Sequence, residues 1–99
     1  MFDKKINVSG VAMRLRPYTE KRLKELTEIN QEIKDFIDAN PETLVSEIVE
    51  RRAEWYMRKA SILWEPETPI TLDFFLSEDF EVSLLKESED FFLKSAIYL

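Results

Sequence analysis

The sequence has no cysteine, no histidine and a single glycine in 99 residues. Each absence removes a class of chemistry. Without cysteine there are no disulfides, no thiolate nucleophiles, no Cys-ligated zinc and no iron–sulfur clusters. Without histidine the usual general base, the Ser-His-Asp triad and most transition-metal sites are gone. One glycine is too few for a P-loop or a GxGxxG dinucleotide loop. No apolar run is long enough to cross a membrane as a helix. The first residues, Met-Phe-Asp-Lys-Lys-Ile, lack the apolar core of a signal peptide, so the expected location is cytoplasmic.

What is present suits one small domain spanning 1–99. Of the residues, 44% are apolar and 34% charged, enough for one core with a charged surface. The net charge is −6 and is unevenly placed. Residues 1–16 hold four bases against one acid, and residues 65–99 hold two bases against nine acids. So acidic a chain gains little from releasing phosphate counterions, and no nucleic-acid partner is expected.

The pattern predicts an α+β, mostly helical fold. A β-hairpin is expected over about 4–16. A two-residue loop at Ser9-Gly10 would pair Val8 with Val11 and Ile6 with Met13 on one apolar face that Leu15 continues. Gly10 supplies the positive φ such a turn needs. Pro17 ends the hairpin and Thr19 caps a first helix over about 19–39. Its stripe is Leu23, Leu26, Ile29, Ile33, Phe36 and Ile37. Asn40-Pro41 reads as the N-cap and first position of a second helix over about 41–64. In it Arg52 and Lys59 interrupt the stripe, with charges reaching water, and Glu47–Arg51 and Glu54–Arg58 pair at i,i+4. Residues 65–69 read as a stiff proline loop. Thr71 caps a short turn over 72–76, and Ser77 caps a last helix over about 77–96, with Glu78 and Asp79 at its positive end.

Candidate sites for chemistry are weak. The acids Glu78, Asp79, Glu81, Glu87, Glu89 and Asp90 do not follow a calcium-loop spacing, and they read as a solvated helix face. Ser83 and Lys86 share a helix face without a visible oxyanion loop. No catalytic residue, cofactor or metal is therefore expected. The stronger signal is aromatic: five of the seven phenylalanines lie in the last third of the chain. With Ile97 and Tyr98 they exceed the single apolar stripe of a surface helix. Either they form an aromatic-rich core, or Phe74, Phe75, Phe80, Phe91, Phe92, Ile97 and Tyr98 include a surface for self-association or a protein partner.

The layout resembles the phage tail assembly chaperones. The likeness lies in the opening hairpin, in Leu15-Arg16-Pro17-Tyr18-Thr19 leading into a helix, in Ile70-Thr71-Leu72-Asp73-Phe74-Phe75, and in the acidic, apolar helix that follows. It covers most of the chain, through short motifs. Membership implies a non-catalytic protein in the bacterial host cytoplasm that holds the long helical tape measure protein soluble during tail assembly. Some members occur in a shorter and a frameshift-extended form, and a chain ending at Leu99 would be the shorter. The alternative is a small helical adaptor or regulatory protein-binding module of another pathway.

Overall fold

The computed structural model describes residues 5–77 and 80–97, with the backbone alone described at Val45. It is a mostly helical α+β fold. Strands β1 (Lys5–Val8) and β2 (Val11–Leu15) form the hairpin. Helix α1 (Glu20–Ala39) follows, then a 3-10 turn (Val45–Ile48) leading into α2 (Val49–Leu63). A third strand, β3 (Trp64–Pro66), precedes α3 (Leu72–Leu76) and α4 (Val82–Ile97).

The hairpin has the expected register, Val8 opposite Val11 and Ile6 opposite Met13. Both loop residues have positive φ, 50° at Ser9 and 84° at Gly10. That is the signature of the mirror-image turn whose twist matches two antiparallel strands. The Asn7 side-chain oxygen accepts the Gly10 N–H at 3.1 Å and braces the loop. A Cβ built on Gly10 meets nothing within 4 Å, so substitution there strains only the backbone. Gly10→Ala should therefore cost about 1 kcal/mol, read from the urea midpoint with the slope unchanged.

Three boundaries differ from the sequence pattern, each for a local reason. The second helix does not begin at Pro41. Asn40 closes α1 instead: its N–H donates to the Ile37 carbonyl (3.2 Å) and its side-chain amide to the Phe36 carbonyl (2.8 Å). The Thr43 N–H then reaches the Asn40 carbonyl (3.1 Å), which puts Pro41 inside a turn. Asn serves either helix end, and the side chain found carbonyls to satisfy before it found amides. The next turn starts at Leu44, whose N–H donates to the Glu47 carboxylate at 3.0 Å.

Trp64 leaves the helix and opens β3, where a stiff loop was expected. Leu15 pairs with Trp64, Arg14 with Glu65 and Met13 with Pro66. Backbone bonds from Arg16 to Leu63 (2.8 Å) and from Glu67 to Ala12 (3.0 Å) extend the pairing at both ends. Prolines are tolerated because β3 is an edge strand, the last in the order β1-β2-β3. The last helix starts at Val82 rather than Ser77. Ser77 closes α3, its N–H donating to the Asp73 carbonyl at 3.2 Å. Glu78 and Asp79, expected at the helix start, lie outside the described residues.

The sheet lays one face on the helices. Val8, Met13 and Leu15 from the hairpin meet Leu26 and Ile29 of α1 and Ala60 and Leu63 of α2 in one buried cluster, with Trp64, Phe75, Phe80, Leu85 and Phe92. The N-cap of α1 is as expected, with the Thr19 hydroxyl accepting the Arg22 N–H at 3.1 Å. At Thr71 the helix start has extended backbone but no side-chain cap bond.

Candidate functional site

The aromatic surplus resolves into a ring cluster and an exposed edge. Phe80 sits at the centre of the cluster. Its ring centroid lies 5.1 Å from Phe75, 5.7 Å from Phe74, 5.6 Å from Tyr56 and 6.5 Å from Trp64. Most of these contacts are edge-on, the arrangement favoured by the ring quadrupole. Phe92 packs against Tyr18 at 5.3 Å, joining α4 to the segment that opens α1. Phe75, Phe80 and Phe92 are buried, and Phe74 and Phe91 are partly buried against the same core. Phe75, Phe80 and Phe92 are core in this chain, because α3, the loop after it and α4 turn them inward. Ile97 differs: it is 77% exposed, and Leu93 one turn earlier is also exposed. Tyr98 lies outside the described residues.

Two polar links fix α4. The Trp64 indole N–H donates to the Ser88 hydroxyl, which in turn donates to the Leu84 carbonyl, both at 2.8 Å. Ser88 is thus a buried polar residue with its bonds made, and no described buried side-chain polar atom lacks a partner. The second link joins three helices. Lys59 Nζ lies 3.0 Å from Glu89 Oε1, and the Asn30 amide donates to the same oxygen at 3.3 Å. The Lys59 and Glu89 side chains are only 17% and 16% exposed. From sequence Lys59 was expected to reach water and Glu89 to belong to a solvated face. Packing of α4 across α2 brings them together instead.

Lys59→Ala should therefore cost about 1–3 kcal/mol, since it strands a half-buried carboxylate. In a double-mutant cycle, adding Glu89→Ala should cost less than the two single losses combined. Urea unfolding of the four proteins reads the coupling.

The expected i,i+4 pairs give way to other partners. Glu47 holds the Leu44 N–H, Arg58 pairs with Glu32 across α1 and α2, and the Arg51 guanidinium lies 4.6 Å over the Phe36 ring. Of the basic residues on the hairpin, Arg16 is tied down, its Nε donating to the Trp64 carbonyl at 3.0 Å, and Arg14 sits opposite Glu65.

A second exposed apolar region lies where α1 ends and α2 begins. Ile37 (54%), Leu44 (64%) and Val49 are exposed there. The sequence pattern, with Ile37 on the apolar stripe of the first helix and Asn40-Pro41 as a helix start, hides this corner. The usable signal was charge: residues 35–50 carry five acids and no base.

Among the described residues no group of three or more carboxylates is placed to hold a metal ion. No described helix is long and apolar enough to cross a membrane. No protein-family model, no curated protein and no solved structure matches the chain.

Proposed function

We propose that this protein is a non-catalytic phage or prophage tail assembly chaperone, which binds a helical tape measure protein and keeps it soluble in the bacterial host cytoplasm during tail morphogenesis. The observation that carries the reading is the exposed apolar end of α4, Leu93 and Ile97, set in the acidic third of the chain. Such an edge suits an amphipathic client helix that lays its own apolar stripe against it. The net charge of −6 favours a soluble complex. The resemblance of Leu15-Arg16-Pro17-Tyr18-Thr19 and of Ile70-Thr71-Leu72-Asp73-Phe74-Phe75 to tail assembly chaperones names the client class.

Co-expression with a long helical tape measure protein from the same genome tests the reading. The expected result is a client that stays in the soluble fraction and co-purifies with this chain. A client that remains insoluble and unbound contradicts it, and leaves the small helical adaptor as the reading to pursue.

A further inference from the structure

The corner between α1 and α2 has two properties that do not normally coincide on an idle surface. It exposes Ile37, Leu44 and Val49, three of the five most exposed large apolar residues described. Beside them an open groove of about 560 Å³ is lined by residues that include Phe36, Ile48, Val49 and Arg51. The Phe36 ring packs edge-on against Trp55 at 5.4 Å, with Arg51 stacked on it. Packed aromatic surfaces with exposed aliphatic rims are what apolar anchors dock into.

The rim is mostly acidic. Asp35, Asp38, Glu42, Glu47 and Glu50 are all exposed, and no base lies between residues 35 and 50. Of the flanking bases, Lys34 faces Asp38 at 3.8 Å and Arg51 is engaged with Phe36. Against these two bases the five acids leave residues 34–51 with a net charge of −3. An apolar centre with a net acidic rim complements a segment with apolar anchors and basic flanks.

We propose that this corner is a docking surface for a basic amphipathic helix of another protein, whose apolar side chains enter the groove beside Phe36 while its Lys or Arg residues meet the acidic rim. The surface is separate from the α4 edge. Phe92 ties α4 to Tyr18 before the start of α1, whereas Ile37 lies in the last turn of that 20-residue helix, about 30 Å away along its axis. The proposal therefore does not depend on the chaperone reading.

Fluorescence anisotropy of a labelled Leu/Lys peptide, with leucines at helical spacing, tests it on the full chain. The controls are a scrambled peptide of the same composition and a Leu/Glu peptide of the same pattern. The expected result is saturable binding of the patterned basic peptide alone. Ile37→Asn with Val49→Asn should weaken it about tenfold or more, as should Glu47→Lys with Glu50→Lys. Both pairs alter exposed positions, and circular dichroism confirms that each variant keeps its helices. Equal binding of the scrambled peptide, or corner variants that bind like the wild type, overturns the proposal. So does concentration-dependent self-association that the corner variants abolish while the peptide fails to bind, which would make a second copy the occupant.

Discussion

Trp64→Ala is expected to remove about 3–5 kcal/mol of stability, a large share of the 5–15 kcal/mol typical of a domain. Trp64 is fully buried, its carbonyl accepts from Arg16, its indole N–H bonds Ser88, and its backbone is where α2 becomes β3. Truncation empties the space between sheet and helices and strands the anchor of α4 at the same time. Trp64→Phe separates these effects. Phenylalanine keeps much of the ring volume but has no donor for Ser88, whose hydroxyl still reaches the Leu84 carbonyl. That loss alone should cost about 1 kcal/mol, plus a smaller packing term. Urea unfolding followed by far-UV circular dichroism should show the alanine variant far below the phenylalanine one. Equal and small losses would mean that Trp64 does not tie the sheet to α4.

Phe80→Ala is the second large effect, again about 3–5 kcal/mol. The phenylalanine touches four rings contributed by α2, β3 and α3, so its removal unseats the loop between α3 and α4. The informative comparison is Ile97→Asn, which sits at the exposed end of α4 and should change stability by less than about 0.5 kcal/mol. Thermal unfolding of both variants divides the aromatic and aliphatic surplus into core and surface. A fall in midpoint for Ile97→Asn like that of Phe80→Ala would place the end of α4 in the core.

The hairpin was legible because its signals are local. One glycine, one loop length and strict alternation admit a single register, and the observed pairs follow it. Helix α1 was equally plain, with a threonine cap and a regular stripe. Asn40-Pro41 was read in the wrong sense because asparagine caps either helix end, and only the carbonyls of Phe36 and Ile37 decide between them. Strand β3 was hidden for another reason. Three residues cannot display a period, and its pairing depends on β2 about fifty positions earlier.

At the candidate sites, composition could count the phenylalanines but not aim them. Phe75, Phe80 and Phe92 point inward because α3 and α4 fold over α2, a fact of tertiary packing. The Lys59–Glu89–Asn30 link is likewise invisible in sequence, since its members come from three helices. The exposed Ile97 was among the residues singled out, and the acidic corner was readable only as a run without bases.

In the proposed function the exposed end of α4 meets the client while the buried aromatics hold the fold. The most direct test is the soluble yield of a tape measure protein co-expressed with the wild type or with Ile97→Asn, alongside the melting temperature of each. Ile97→Asn is expected to melt like the wild type and to lose most of the soluble client. Full solubilisation by a stably folded Ile97→Asn, or no solubilisation by the wild type, would contradict it.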